Sequence, residues 1–389
     1  MKLLLMYLLV MVLLFGSGVE QHFKKLKKRY CFKPKESKER LCLLSEIEFP
    51  YSYRVTDIKA KELIASKLKR FIEDFKREDL EKELKKDLDG ESFSFGGEWE
   101  QRSTLSIYSV LSRSVTLKEQ SYLYLGGAHG LYSINFLNFA LSGKKIVLED
   151  LVANLKGFQE EVESYYREYF GIPKGQPLSK YDWFEDRFTL AKEFAIDPNG
   201  ILFVYNPYEI KPFAAGFTEL LVPYIRIKKY LKSQYIPKLS NQEKHQLDEN
   251  IILQLQKASK QILEIDIKVN APKNAKRAWV SISLPKIYAK RRVKVIKQRG
   301  FKRVSLYPKG AKIYNKELKR AVPSNYLLIE GYARNIKEGD TLSMRLKVAA
   351  NSKGFIDIRA VFDKSEIPQF SQIFGQQGYA NYRVYYQLK

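Results

Sequence analysis

Alternation of apolar and polar residues constrains the last third of this 389-residue chain more than any other sequence feature. It begins at Ile262, where the sequence ILEIDIKVN has an apolar residue at nearly every second position. A period of two is typical of a β-strand with one buried face. Seven or eight such segments, separated by turn residues and without a helical pattern, fill the region. They predict an all-β sandwich over residues 262–389.

The chain before this region mixes two periods. Apolar residues recur at helical spacing over Ile58 to Leu88 and again over Asp150 to Phe170. Alternating segments such as Trp99 to Arg113 and Leu131 to Ala140 predict strands between and around these helices. We therefore predict an α+β domain over residues 43–238, in which two main helices pack on an antiparallel sheet of five to seven strands. The polar segment 239–261 is predicted to be a linker helix.

The stretch ILFVYNPYEIKPFAAGF, residues 201–217, is the densest local signal. Ile201 to Tyr205 predicts a buried strand, and Asn206 before Pro207 predicts a turn. The aromatic residues Tyr205, Tyr208 and Phe213 allow two interpretations. They fill the edge of a core, or they present an aromatic face to a sugar or a protein. Tyr205 and Tyr208 are therefore candidates for ligand contact.

The first eighteen residues have the pattern of a secretory signal peptide. Lys2 precedes the thirteen-residue apolar run Leu3 to Phe15, and Gly16-Ser17-Gly18 offers a cleavage site. The run is shorter than the roughly 17–25 residues of a membrane span. The sequence thus predicts export to the periplasm or the extracellular space, with an uncleaved N-terminal membrane anchor as the alternative.

Residues 19–42 are interpreted as a basic linker that carries a cysteine loop. Cys31 and Cys42 are the two cysteines of the chain. Outside the cytoplasm, two thiols at this separation favour a disulfide. A metal pair is the less favoured alternative, because no histidine or second cysteine pair with ligand spacing lies nearby. We predict no metal site and no cofactor.

The chain has a formal net charge of +24, and the excess is uneven. Lys286 to Arg320 contains fourteen Lys or Arg against one acid. A charge of this size concerns partners and solubility rather than fold. After export, nucleic acid is not expected as a partner. An anionic lipid, an anionic glycan or an acidic protein fits the charge, and a solvated basic face is the alternative. The candidate basic patch comprises Lys290, Arg291, Arg292, Lys294, Lys297, Arg299, Lys302 and Arg303.

Two stretches of the N-terminal domain resemble a known family. They are YLYLGGAHGLYSINFLNFALSGKKIVLEDLV, residues 122–152, and ILFVYNPYEIKPFAAGF. Together with the helix ahead of them they are similar to the extracytoplasmic domain of RsiV-type proteins, which also precedes the catalytic domain in some peptidoglycan deacetylases. The resemblance covers about residues 43–235. It implies binding, because the RsiV-type ectodomain captures lysozyme.

The chain departs from this family in two respects. An anti-sigma factor needs a cytoplasmic segment ahead of its membrane helix, and only Met1 and Lys2 precede the apolar run. A deacetylase needs a metal-binding catalytic domain, and no Asp-Asp with a His-x-x-x-His pattern occurs. The resemblance therefore implies a protein-binding scaffold of unspecified partner.

The remaining question is whether the chain has a catalytic or ligand-binding histidine, and His129 is the candidate. His22 and His245 lie in polar segments that we expect to be solvated. His129 lies within Gly126-Gly127-Ala128-His129-Gly130, where its ring either bonds to the backbone, contacts a ligand, or acts as a base with an acid such as Asp150, Asp197 or Glu209. The Gly-rich segment lacks the Lys-Ser/Thr ending of a phosphate-binding loop.

The leading hypothesis is a non-catalytic exported envelope protein that binds a macromolecular partner. That partner is a secreted or envelope protein, or an anionic lipid or glycan bound by the basic C-terminal domain. One alternative is an enzyme that modifies cell-wall polysaccharide with His129. Another is an envelope assembly factor. The sequence does not indicate an oligomeric state.

Overall fold

The computed structural model describes residues 19–32, 41–79, 98–235, 242–247, 250–259, 262–272, 275–285, 293–307, 312–315, 320–323, 326–349, 353–363 and 380–387. It divides the chain into an N-terminal unit, Met1–Lys238, and a C-terminal unit, Leu239–Lys389. The predicted signal peptide lies outside the described residues. In the part of the chain that is described, no helix is long and apolar enough to cross a membrane.

The N-terminal unit contains a five-stranded sheet and a three-stranded sheet. The first has the order β1-β2-β3-β4-β5 and the second the order β6-β7-β8. The strands are β1 Gln21–Phe32, β2 Leu41–Tyr53, β3 Glu98–Val110, β4 Ser114–Tyr124, β5 Leu131–Ala140, β6 Glu193–Ile196, β7 Gly200–Tyr205 and β8 Thr218–Pro223. The α-helices are α1 Ile58–Arg77, α2 Leu148–Leu151, α3 Leu155–Phe170 and α4 Tyr224–Ile227, and the 3₁₀ turns are Leu178–Tyr181, Phe213–Ala215, Lys228–Tyr230 and Ser233–Tyr235.

The predicted α+β class of this unit is confirmed, with a difference in the sheet. All neighbouring strands of the larger sheet are antiparallel except β2 and β3, which are parallel. The chain runs through α1 between these two strands, and parallel neighbours require such a crossover.

The first main helix has the predicted start and core face. The Asp57 carboxylate accepts a hydrogen bond from the Ala60 amide at 2.8 Å and so caps α1. Its buried residues pack on one face of the larger sheet. The predicted helix extended to Leu88, but α1 ends at Arg77 and residues 80–88 lie outside the described residues.

The second main helix begins at Leu155 and not at Asp150 as predicted, because Leu148–Leu151 forms the separate short helix α2. Asn154 caps α3 by accepting a hydrogen bond from the Gly157 amide at 3.1 Å, and the helix ends at Gly171 in a left-handed conformation. Phe158 of this helix contacts Phe203 of β7, with ring centroids 6.1 Å apart. Each sheet of the N-terminal unit thus has a main helix packed against it.

The prediction of a basic linker over residues 19–42 was wrong for residues 21–32, which form β1. β1 pairs with β2 in antiparallel register, and Cys31 lies directly opposite Cys42. The predicted disulfide between these cysteines is confirmed. It joins the two strands at the end where residues 33–40 connect them. A disulfide of this kind is typical of proteins that fold in an oxidising compartment.

The C-terminal unit contains two five-stranded sheets that share one core. Their orders are β13-β18-β11-β10-β9 and β14-β17-β12-β19-β20, with a separate β15-β16 hairpin. The strands are β9 Gln242–Gln246, β10 Ile251–Ser259, β11 Ile262–Asn270, β12 Arg277–Pro285, β13 Val293–Arg299, β14 Arg303–Tyr307, β15 Lys312–Asn315, β16 Arg320–Pro323, β17 Tyr326–Arg334, β18 Thr341–Ala349, β19 Lys353–Asp363 and β20 Ala380–Gln387.

The predicted all-β class of the C-terminal region is confirmed, and the linker helix over residues 239–261 was wrong. Residues 242–246 and 251–259 of that segment are β9 and β10. Ile251, Leu253 and Leu255 alternate along β10 and are buried in the sandwich core. The segment is therefore part of the sandwich, because a period of two was present where a helix was expected.

Candidate binding surface

The two sequence stretches singled out above meet at one end of the larger N-terminal sheet. His129 lies in the connection between β4 and β5, and Tyr208 and Phe213 lie in the loop that follows β7. The rings of His129 and Phe213 are stacked, with centroids 3.9 Å apart and an interplanar angle of 12°. Tyr208 lies further along the same stack, 6.5 Å from His129. Residues separated by about eighty positions thus form one aromatic cluster.

The β4–β5 connection requires glycine for a steric reason. A Cβ atom added at Gly130 would lie 2.2 Å from the ring of Tyr122. Gly130 therefore allows the Tyr122 ring to lie directly against the backbone next to His129. The position of His129 depends on this close approach.

The loop after β7 is fixed to the edge of β5 by Asn206. The Asn206 side chain accepts a hydrogen bond from the Ile134 amide at 2.7 Å and donates one to the Ile134 carbonyl at 3.2 Å. The carboxylate of Glu209 accepts hydrogen bonds from the Asn206 amide at 2.9 Å and the Lys192 amide at 3.2 Å. These bonds hold the loop in place before any partner binds.

Tyr208 has an unusual backbone conformation for a bulky residue. Its φ is +68°, in the left-handed region that glycine and asparagine usually occupy. Its side chain is 52% exposed. A residue held in such a conformation costs about 1–3 kcal/mol, and residues of this kind cluster at functional sites. The loop holds Tyr208 in this conformation, with its ring exposed beside His129.

Tyr122 and Tyr132 continue the cluster along the sheet. They are opposite each other on β4 and β5, and their ring centroids are 4.7 Å apart. The Arg102 guanidinium lies over the Tyr122 ring at 5.9 Å. We name Tyr122, His129, Tyr132, Tyr208 and Phe213 the aromatic surface. Sequence analysis missed Tyr122, Tyr132 and the role of Asn206, because no local pattern indicates these contacts.

The His129 ring bonds to the backbone of the glycine-rich segment, which is one of the three roles considered for it above. Its Nδ1 atom is 3.1 Å from the Gly130 carbonyl oxygen, and its Nε2 atom is 3.5 Å from the Tyr208 hydroxyl. The three acids considered as partners accept hydrogen bonds elsewhere: Asp150 from Lys144, Asp197 from Tyr108 and Glu209 from Asn206. Within the described ranges, no carboxylate forms a hydrogen bond or an ion pair with His129.

Tyr205 is separated from the other two candidates for ligand contact. Its side chain is buried, and its hydroxyl donates a hydrogen bond to the Thr189 carbonyl at 2.7 Å. Its ring packs on Tyr166 and Trp183. Burial raises the pKa of the Tyr205 hydroxyl well above its usual value. The candidate role of Tyr205 in ligand contact was wrong, because a core position leaves it no access to a ligand.

Five of the eight residues of the predicted basic patch are described, and they lie on or between two strands of the C-terminal unit. Lys290, Arg291 and Arg292 lie outside the described residues. Lys294, Lys297 and Arg299 are on β13, Lys302 follows that strand, and Arg303 opens β14. All five are exposed. Among the residues that the structure describes, no group of three or more His, Cys, Asp or Glu residues is placed to hold a metal ion.

Lys118 is a buried cation that sequence analysis missed. It lies on β4 beside the three-stranded sheet, and its backbone carbonyl accepts a hydrogen bond from the Ser106 hydroxyl at 3.2 Å. Burial lowers the pKa of the Lys118 amine, and the carboxylate of Glu219 opposes this shift in part. The charged form of Lys118 therefore opposes folding at neutral pH.

We expect Lys118→Met to raise the free energy of unfolding at pH 7 by about 1 kcal/mol, because an apolar side chain removes the burial of a charge. In the wild type, the unfolded chain binds more protons than the folded chain between the lowered pKa and the ordinary value of 10.5. Stability of the wild type should therefore rise with pH across that window. Urea unfolding between pH 7 and pH 10.5 measures both effects. A variant with the same pH slope as the wild type would contradict this account.

Comparison with known proteins agrees with the resemblance at a coarse level. Residues 36–132 match the family model described as Deacetylase PdaC. Residues 144–225 match the model described as Protein of unknown function (DUF3298). The two matches cover most of the N-terminal unit and include every residue of the aromatic surface. No curated protein is significantly similar to this chain.

Solved structures that are similar to this chain include two members of the DUF3298 family. One is a DUF3298 family protein from Pseudomonas aeruginosa, with 18% identity over 57% of this chain and 98% of that chain, and a TM-score of 0.40. The other is a member of the same family from Bacteroides fragilis, with 20% identity over 57% of this chain and 96% of that chain, and a TM-score of 0.39.

Proposed function

We propose that this chain is an exported, non-catalytic binding protein whose N-terminal unit holds a protein partner against the aromatic surface. The observation that carries the proposal is the exposed Tyr208 ring, held in a left-handed backbone conformation next to the stacked rings of His129 and Phe213. The disulfide between Cys31 and Cys42 supports export, because such bonds persist in oxidising compartments.

The composition of the aromatic surface fits a protein-binding face. Tyrosine and arginine are enriched among the residues that contribute most to protein–protein binding. Tyrosine offers a large contact area at a low cost in conformational entropy. The anchoring of the loop by Asn206 and Glu209 reduces that cost further, because the rings are already ordered. The RsiV-type resemblance supports the same reading, and lysozyme is the first purified protein to test.

The proposal predicts a site-specific crosslink at Tyr208. A photoreactive phenylalanine analogue at position 208 should give a covalent adduct of discrete mass with one envelope protein, or with lysozyme as the purified probe. The same analogue at Tyr51, which is 44% exposed on β2 of the same unit, is the matched control and should not give that adduct. The two labels have similar exposure, but Tyr51 lies towards the end of the sheet opposite the β4–β5 connection.

The second part of the experiment removes the aromatic rings that contact the labelled position 208. His129→Ala and Phe213→Ala should each reduce the yield of the 208 adduct about 30-fold, the effect of losing a residue that contributes about 2 kcal/mol to binding. Unchanged circular dichroism would show that these variants remain folded. Identical adducts at positions 208 and 51, or a yield that neither variant changes, would contradict the proposal.

A further inference from the structure

One lateral edge of the C-terminal sandwich has a feature that protein binding by the N-terminal unit does not use. β13 and β14 are the terminal strands of the two sheets, and residues 300–302 join them. Phe301 in this link is buried, and a Cβ atom added at Gly331 would lie 2.8 Å from its ring. The link is therefore fixed between the sheets, and it holds the two edge strands on the same side of the sandwich.

Strand register directs the cations of β13 away from the core. Lys294, Lys297 and Arg299 are opposite Lys347, Arg345 and Ser343 of β18, which alternate with the buried residues of that strand. Paired residues share a face of the sheet, so the three cations lie on its outer face. We name Lys294, Lys297, Arg299, Lys302 and Arg303 the basic edge.

Carboxylates pair with the cations of the neighbouring strand β18 but not with the cations of the basic edge. On the same outer face, Arg345 pairs with Asp266 at 2.6 Å and Lys347 with Glu264 at 3.8 Å. Within the described part of the chain, no carboxylate forms an ion pair with a residue of the basic edge. Five cations at one margin therefore produce a local positive field.

Exposed apolar side chains accompany the cations. In the described part of the C-terminal unit, the exposed large apolar side chains are Ile296 at 49% and Leu306 at 38%. Ile296 lies at a β-bulge between Val295 and Lys297. Leu306 is on the terminal strand β14 opposite the buried Ile329, and at this margin of the sandwich it remains 38% exposed. Both are thus on the two strands that form the basic edge. An anionic polymer in solution would need the cations and would leave these two side chains in water.

We propose that the basic edge docks on the surface of an anionic lipid bilayer. The cations contact lipid head groups, while Ile296 and Leu306 enter the boundary between head groups and acyl chains. Cationic side chains flanking an apolar insertion are the general pattern of surface binding to anionic membranes. The basic edge is distinct from the aromatic surface, so each of the two proposals can fail without the other.

The test compares the full chain on vesicles of phosphatidylglycerol with phosphatidylcholine and on vesicles of phosphatidylcholine alone. The readout is the ratio of the two partition coefficients, because insertion of the apolar run at residues 3–15 does not depend on head-group charge. Each cation near an anionic surface contributes about fivefold to binding, so Lys294→Gln, Lys297→Gln and Lys302→Gln together should reduce the ratio roughly 100-fold. Salt near 1 M should reduce it as well, since the Debye length falls to about 3 Å.

The matched control carries the same charge change elsewhere in the C-terminal unit. Lys268, Lys276 and Lys337 are exposed and lie off the basic edge, and their triple Lys→Gln variant should retain the wild-type ratio within about threefold. Ile296→Ser with Leu306→Ser should weaken binding to anionic vesicles about tenfold. A wild-type ratio near one, or equal losses in both lysine triples, would overturn the proposal. An unchanged Ile296/Leu306 variant, displaced from vesicles by soluble polyphosphate, would overturn it in favour of a polyanion site.

Discussion

Replacing Asn138 with leucine should lower the free energy of unfolding of the N-terminal unit by about 4 kcal/mol. The Asn138 side chain is buried, with 2% exposure, where β5 meets β6. Its Oδ1 atom accepts hydrogen bonds from the Thr116 hydroxyl at 2.7 Å and the Ile196 amide at 3.2 Å. Its Nδ2 atom donates to the Phe194 carbonyl at 2.8 Å. Leucine has a similar size but leaves all three partners buried without these bonds, at about 1–3 kcal/mol for each.

Urea unfolding followed by the helical circular dichroism signal measures this effect, because the described helices belong to the N-terminal unit. Asn135→Leu is the matched control. Asn135 lies on the same strand and is only half-buried, so its replacement should change the free energy of unfolding by less than about 1 kcal/mol. An effect of that small size at Asn138 would show that water or a neighbouring group replaces the amide.

The second large effect is expected at Gly200, where β7 and β8 approach closely. A Cβ atom at this position would lie 2.1 Å from the Val222 carbonyl oxygen and 2.8 Å from the Val222 carbonyl carbon. Both are backbone atoms, so no side-chain rotation relieves the overlap. We expect Gly200→Ala to lower the free energy of unfolding by about 3 kcal/mol, at the upper end for an overpacked site.

The Gly200 variant should also weaken the proposed protein binding. β7 leads directly into Asn206, and a displaced β7 would shift the loop that carries Tyr208. Urea unfolding and the crosslink yield at position 208 measure the two effects. Glu185→Ala in the same unit is the control, because residue 185 is exposed and its replacement introduces no overlap. A Gly200→Ala protein with the wild-type unfolding midpoint would contradict this steric argument.

Sequence periodicity predicted the elements that bury one regular face. α1, α3 and sandwich strands such as β11, β12 and β18 have such faces. β1 was missed because polar residues occupy both alternating faces of its sequence, QHFKKLKKRYCF. Its pairing with β2 and its disulfide are long-range features that a local pattern does not contain. β10 was wrongly predicted as part of a helix, although the alternation of Ile251, Leu253 and Leu255 was visible in the sequence.

The candidate site was predicted in part. His129 and Tyr208 were selected from glycine and proline patterns, and the structure brings them together. Their contact could not be predicted, because it depends on how Asn206 joins the loop to β5, seventy-two positions earlier in the chain. Tyr205 was selected for its position beside Asn206-Pro207, but a strand residue that faces the core is buried regardless of the turn that follows.

The side chains that bond to β5 have a consequence for how other molecules can approach it. The outer backbone groups of a terminal strand are ordinarily free to recruit an additional strand from another chain. Here Asn206 occupies the amide and carbonyl of Ile134, and Glu193 accepts a hydrogen bond from the Phe136 amide at 2.8 Å. A strand from another chain therefore cannot pair with the outer edge of β5 at these positions. A binding partner must instead be recognised through side chains, and selectivity at this edge of the N-terminal sheet can change by substitution without altering the sheet.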